Sequence, residues 1–222
     1  MDEAERPTSQ REAPRPSWAR RRRRGLILAA IIAVSLALVS CAGYRVVPPD
    51  ALVSPVRIYV IDYGKHASLV LPGGPMGLVE FSWGDWNYFA LGNKGLGAGL
   101  EALFASQGST MLRRDFPPIH DAAGWFADGR AERVLTLEVD ADPAMRLYES
   151  LAERHRAGLE TALTHPDGSV FVKDPAPYGM FNNSNHELAR WLRQMGCRVS
   201  GYTIWAKFSV DPPGKVIDPP GR

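Results

Sequence analysis

Apolar residues recur with two different periods along the chain, which predicts strands and helices in mixed order. Segments rich in β-branched and aromatic residues predict strands at 56–61, 65–71, 77–83, 133–139, 169–173 and 202–210. Helices are predicted at 97–107, 143–157 and 184–196, the last two from apolar residues at helical spacing. Because these elements follow one another without a βαβ rhythm, we expect an α+β fold with a mainly antiparallel sheet and packed helices.

Composition divides the chain into five segments. Residues 1–24 are polar and basic and predict a disordered leader, and 25–40 form an uncharged apolar segment. Prolines in 41–55 predict a tether to the folded part. The α+β domain is expected at 56–210, followed by a Pro-rich tail at 211–222.

The leader and the apolar segment stand in the order of a secretory signal. Five consecutive arginines, Arg20 to Arg24, precede the uncharged apolar residues. Arginines stay on the cytoplasmic side of a membrane, so we expect everything that follows the apolar segment to lie outside the cytoplasm.

The apolar segment ends in a candidate for lipidation. Leu38-Val39-Ser40-Cys41 resembles the lipobox of bacterial lipoproteins, which implies cleavage before Cys41 and transfer of a diacylglycerol to its sulfur. The alternative is an uncleaved anchor, because 25–43 is just long enough to span about 30 Å of hydrocarbon, for which roughly 20 residues are needed. Either alternative places the domain in the bacterial cell envelope, held to membrane lipid by Cys41 or by the apolar segment.

Charge distinguishes the N-terminus from the body of the chain. Residues 1–40 hold eight arginines and four acidic residues, whereas the rest holds 18 basic and 20 acidic residues. The body shows no basic stripe, so we expect no nucleic-acid partner. The second cysteine, Cys197, is interpreted as a small buried apolar residue.

Four residues of the body are candidates for chemistry. His66 lies in the second predicted strand, and Glu80 and Asp85 lie in a short segment that also carries two tryptophans. Ser184 lies where the last predicted helix begins. No local spacing of histidine, cysteine and carboxylate residues is typical of a metal site, so we expect no metal and no cofactor.

The order of three short motifs resembles a bacterial family of unassigned function, the urease-region conserved hypothetical proteins (domain of unknown function 2459). The layout of that family is in turn similar to circularly permuted papain-like folds of the NlpC type, in which a histidine strand precedes the helix of the nucleophile. The motifs that carry the resemblance are Gly64-Lys65-His66, Trp83-Gly84-Asp85 and Asn182-Asn183-Ser184-Asn185.

The resemblance implies a role for each candidate. His66 would be the general base, Glu80 or Asp85 would orient its imidazole, and Ser184 occupies the position of the nucleophile. The family has cysteine at this position, and a serine hydroxyl depends much more strongly on its base for activation. Ser184 and Glu187 also have the spacing of a capping box, which stabilises a helix start and requires no catalysis.

Three functions therefore stay open. The papain-like cleft of a non-catalytic relative would bind an amide or ester of the cell envelope, carried by a peptide or a lipid. An active hydrolase or acyltransferase would instead use Ser184 together with His66. A purely structural lipoprotein would use neither residue.

Overall fold

The computed structural model of this protein describes residues 26–28, 30, 43–93, 95–104, 108–202 and 205–220. The chain divides into two units, Met1–Cys41 and Ala42–Arg222. In the first unit, 26–28 and 30 are helical; the basic leader, most of the predicted apolar segment and Cys41 lie outside the described residues. No helix among the described residues combines the length and the apolar character that crossing a membrane requires.

The second unit is an α+β domain with mainly antiparallel strand pairing. Its strands, in chain order, are β1 (Tyr44–Val47), β2 (Pro55–Asp62), β3 (Ala67–Gly73), β4 (Gly77–Asp85), β5 (Ser109–Phe116), β6 (Arg133–Asp140), β7 (Leu163–Thr164), β8 (Val170–Asp174), β9 (Arg198–Ser200), β10 (Phe208–Val210) and β11 (Lys215–Ile217).

Within the described part of the chain these strands form two sheets. The larger sheet is antiparallel throughout, in the order β11-β6-β2-β3-β4-β5-β8-β7. The smaller sheet has the order β10-β1-β9, and β1 pairs with β10 in parallel and with β9 antiparallel. β3 and β4 form a hairpin, and the residues Pro-Gly-Gly-Pro at 72–75 are a sequence signal for the turn between them.

The helices connect the strands and cover the larger sheet. A π-helical turn at Trp86–Ala90 follows β4, and a 3₁₀ turn at Leu159–Thr161 precedes β7. The α-helices of the second unit are α1 (Leu96–Phe104), α2 (Ala122–Trp125), α3 (Ala141–Ala157) and α4 (Ser184–Gln194).

The two faces of the larger sheet differ in what covers them. One face packs with α3 and α4 in a single apolar core, to which Leu69, Phe81, Met111, Leu151 and Leu188 belong. The other face carries a smaller apolar cluster beneath α2, centred on residues such as Val70 and Trp125. Because side chains alternate along a strand, each central strand contributes to both faces.

A buried ionic network joins α3, α4 and β8 on the helical face. Arg154 donates hydrogen bonds to both carboxylate oxygens of Asp174, at 2.6 and 2.9 Å, and another to Glu187 at 2.5 Å. Trp83 Nε1 also donates to Asp174, at 3.2 Å. Burial raises the pKa of Asp174, but its bonds to Arg154 and Trp83 outweigh burial and hold that pKa below the usual range. The carboxylate is therefore charged and fixes the helices to the sheet.

The predicted α+β class and most predicted elements are confirmed, but the predicted domain limits are wrong at both ends. The expected tether at 41–55 contains β1, which lies in the smaller sheet. The expected tail at 211–222 contains β11, which pairs with β6 at the edge of the larger sheet. Both strands are short, and their pairing comes from residues far along the chain, which local patterning does not register.

Candidate functional site

The sheet face opposite α3 and α4 contains a cavity of about 360 Å³. Cavities of roughly 300–1,000 Å³ are typical of small-molecule sites. The cavity combines hydroxyls, aromatic rings and charged groups from four strands, β3, β4, β5 and β8, and from the loops around them. Its described lining is Tyr63, Lys65, His66, Ser68, Glu80, Ser82, Trp83, Gly84, Tyr88, Phe89, Gly92, Thr110, Leu112, Arg114, Arg130, His165, Asp167, Ser169 and Phe171.

A tight turn between β2 and β3 places His66 at the cavity. Asp62 accepts a hydrogen bond from the Gly64 N–H at 2.8 Å, and the Tyr63 N–H donates to the His66 carbonyl at 2.9 Å. Gly64 has a φ of 81°, a conformation that favours glycine. The turn stacks the ring of Tyr63 on that of His66, with centroids 4.9 Å apart and planes 20° apart.

The Trp-Gly-Asp motif positions another aromatic ring of the cavity, that of Phe89. A Cβ at Gly84 would lie 2.2 Å from a ring carbon of Phe89, so only glycine lets this ring fold over β4. Asp85 accepts a hydrogen bond from the Tyr88 N–H at 2.8 Å and so caps the π-helical turn that carries Phe89. Phe89 then meets His66 edge to face, with centroids 4.5 Å apart. The motif thus shapes the cavity, since Gly84 leaves room for the ring of Phe89 and the side chain of Asp85 caps the turn that carries it.

Glu80 lies on the cavity face and is fully paired. Its carboxylate accepts hydrogen bonds from the Tyr63 hydroxyl and from Arg114, both at 2.8 Å. Burial, followed by the charge of Glu80, raises the pKa of Tyr63 well above its usual value. Tyr63 therefore stays protonated and donates to Glu80 throughout the physiological pH range.

A second ion pair closes the cavity on the side of Arg114. Arg130 binds Asp167 at 2.5 Å and Asp128 at 2.7 Å. Burial raises the pKa of Asp167, but its bonds to Ser169 and Arg130 outweigh burial, so that pKa lies below its usual range.

Of the four predicted site residues, two line the cavity and two do not. His66 and Glu80 line the cavity together, whereas neither Ser184 nor Asp85 belongs to its described lining. Ser184 is 4% exposed and lies beside the phenol of Tyr178, which packs against the core on the helical side of the sheet. Burial raises the pKa of Tyr178 to about 12, which the polar contacts with Ser184 oppose.

The start of α4 does approach the turn that holds His66. The Asn185 side-chain amide donates to the Lys65 carbonyl at 3.4 Å. The helix is therefore near the histidine, although its first residue, Ser184, is directed to Tyr178.

The predicted capping role of Ser184 is wrong by one position. Asn183 is the N-cap, and its side-chain oxygen accepts hydrogen bonds from the N–H groups of Asn185 and His186, at 3.0 and 3.2 Å. Glu187 does not close a capping box, because its carboxylate binds Arg154 and Arg190 instead. Asparagine caps as well as serine does, so the local sequence offered two equivalent starts.

Four lining residues with charged or imidazole side chains were not predicted from the sequence, because they come from distant parts of the chain. These are Arg114 in β5, Arg130 before β6, and His165 and Asp167 between β7 and β8. His165 donates a hydrogen bond to the Ala90 carbonyl at 2.9 Å, which ties this loop to the π-helical turn.

No group of three potential metal ligands occurs among the described residues.

Comparisons with family models, with curated proteins and with solved structures find no match to this chain. The chemistry of the site must therefore be argued from its own residues.

We expect Ser184→Asp to destabilise the protein by about 2 kcal/mol or more, because it would bury a carboxylate beside Tyr178. The matched control is Asn183→Asp, which keeps the cap and should stay within about 1 kcal/mol of the wild type. Urea unfolding of both variants measures the difference. A Ser184→Asp variant as stable as the wild type would contradict the burial of this side chain beside Tyr178.

Proposed function

We propose that this protein is a membrane-anchored binding protein of the bacterial cell envelope, and that its cavity holds an amide- or ester-bearing envelope ligand without cleaving it. The observation that carries this proposal is the separation of the two predicted catalytic residues. His66 lines the cavity, whereas the buried Ser184 is directed to Tyr178 and does not line it. A serine nucleophile needs its base within hydrogen-bond reach and a path to the substrate.

The chemistry of the cavity supports binding in a second way. The carboxylate that would orient His66 in a catalytic site, Glu80, is engaged by Tyr63 and Arg114. The other proposed orienter, Asp85, caps the π-helical turn. The carboxylate of Glu80 therefore has structural partners, and the ring of His66 stacks on Tyr63 and meets Phe89 edge to face.

The proposed ancestry of the site is a circularly permuted papain-like fold. The order of elements supports it, since the turn of His66 precedes α4 in the chain and the start of α4 approaches that turn. In this proposal the chain is a relative of the urease-region family in which serine replaced the nucleophilic cysteine and the helix start then turned to Tyr178.

The proposed anchor is a lipid on Cys41, supported by the basic leader, the apolar segment and the lipobox-like Leu38-Val39-Ser40 before it.

The intact mass of the protein isolated from native membranes tests the proposed lipid anchor. We expect a chain that begins at a diacylated Cys41, and Cys41→Ala should abolish the lipid mass. A chain that retains residues 1–40 would identify an uncleaved anchor.

We predict that the full-length protein does not react with a serine-directed fluorophosphonate probe, because Ser184 is buried beside Tyr178 and does not line the cavity. It should bind soluble peptidoglycan fragments, which carry amides, or a short-chain phospholipid, which carries esters, and His66→Ala should weaken that binding. Isothermal titration in lipid nanodiscs measures both ligands. Probe labelling that disappears in both Ser184→Ala and His66→Ala would show a working hydrolase and end the proposal.

A further inference from the structure

The floor of the cavity contains a buried hydroxyl that no residue in the described part of the chain satisfies. Ser68 is 1% exposed, and its Oγ has no hydrogen-bond partner among the described residues. Its strand neighbours Ala67 and Leu69 belong to the apolar core on the other face, so strand alternation directs Ser68 to the cavity that it lines. A buried hydroxyl without a partner costs stability, which indicates a group that a ligand completes.

Ser68 is part of a row of hydroxyls that crosses three adjacent strands. Ser82 in β4 and Thr110 in β5 line the same cavity. Leu69 pairs with Phe81, which places Ser82 beside Ser68, and Gly84 pairs with Thr110. Thr110 donates its proton to the Val172 carbonyl at 2.9 Å and keeps its capacity to accept. The floor therefore offers both donors and acceptors.

The wall above this floor is aromatic and fixed in place. The rings of Tyr63, His66 and Phe89 contact one another in sequence, through one stacked and one edge-to-face pair. Such a wall fits a ligand that presents an apolar face, while the floor fits a ligand that presents polar groups.

The charged groups of the cavity are neutralised in pairs. Glu80 is matched by Arg114, and Asp167 by Arg130. The remaining charged lining residue, Lys65, is exposed to solvent. A charged ligand would have to disrupt one of these pairs, so the lining favours an uncharged ligand.

We propose that the cavity binds an uncharged sugar ring of an envelope glycan, with the Ser68 hydroxyl as its hydrogen-bond anchor. A pyranose ring has hydroxyls at its rim and C–H groups on its faces, which matches a hydroxyl floor beside an aromatic wall. Its size also suits a cavity of about 360 Å³. This assignment rests on the proposed binding function and specifies the ligand of the same site.

N-acetylglucosamine is the probe, titrated calorimetrically into the full-length protein in lipid nanodiscs. We expect saturable binding, and a Kd at least about tenfold higher for glucosamine, whose protonated amine adds a charge. Ser68→Ala should raise the Kd for N-acetylglucosamine about five- to tenfold through the lost hydrogen bond. Its thermal unfolding midpoint should be unchanged or higher, because the substitution removes an unsatisfied buried hydroxyl.

Ser209→Ala is the matched control, since the Ser209 hydroxyl donates to the Tyr44 carbonyl in the smaller sheet at 3.2 Å. It should leave the Kd unchanged.

Wild-type protein that does not bind N-acetylglucosamine, or a Ser68→Ala variant that binds it equally well, overturns the sugar assignment. A lowered midpoint in Ser68→Ala also overturns it, because the hydroxyl would then have a structural partner. If peptide or phospholipid ligands bind through His66 while the sugar does not, only the sugar assignment is wrong. If the fluorophosphonate probe labels Ser184, the proposed binding function itself is wrong.

Discussion

Side chains alternate between the two faces of the sheet along β3, β4 and β5, and this constraint places Ser68 and Glu80 on the face of the cavity. Odd-numbered positions such as Leu69 and Phe81 enter the core beneath the helices. Even-numbered positions such as Ser68 and Glu80 enter the cavity. His66 and Ser184 were expected at one site, but one lines the cavity and the other belongs to the helical side.

The cavity exists because the loops above this face are held by specific contacts. The turn at Gly64 stacks Tyr63 on His66, and the absence of a side chain at Gly84 admits Phe89. Ion pairs that join distant segments support the charged side of the cavity. These contacts hold rings and polar groups in place before a ligand arrives, which reduces the ordering cost of binding.

Local sequence patterns were sufficient for the hairpin of β3 and β4 and for α3 and α4, because each has its own periodicity and turn residues. They were insufficient for β5, although β5 lies in the middle of the sheet. Arg113, Arg114 and Asp115 interrupt its apolar pattern, and each is paired in the structure with a carboxylate or an arginine. A charged strand of this kind is predictable only when its partners are known.

The candidate site, like β5, could be predicted only in part from local sequence patterns. His66 and Glu80 were identified from motifs and do line one cavity, but the motifs did not reveal which face each side chain occupies. Ser68 was passed over because a single serine in an apolar strand carries no local signal. Its significance depends on burial and on the lack of a partner, and both are properties of the folded chain.

The central claim is that ligands bind on the face of His66 and away from Ser184, and histidine side-chain NMR tests it most directly. His66 and His165 line the cavity, whereas His186 lies in the first turn of α4, two residues after Ser184. Each ring can be assigned by single substitution and followed while soluble peptidoglycan fragments are added to the full-length protein. The account predicts that the signals of His66 and His165 shift together while that of His186 stays in place. A shift of His186 together with His66, with His165 unchanged, would contradict it and place the ligand between His66 and the start of α4.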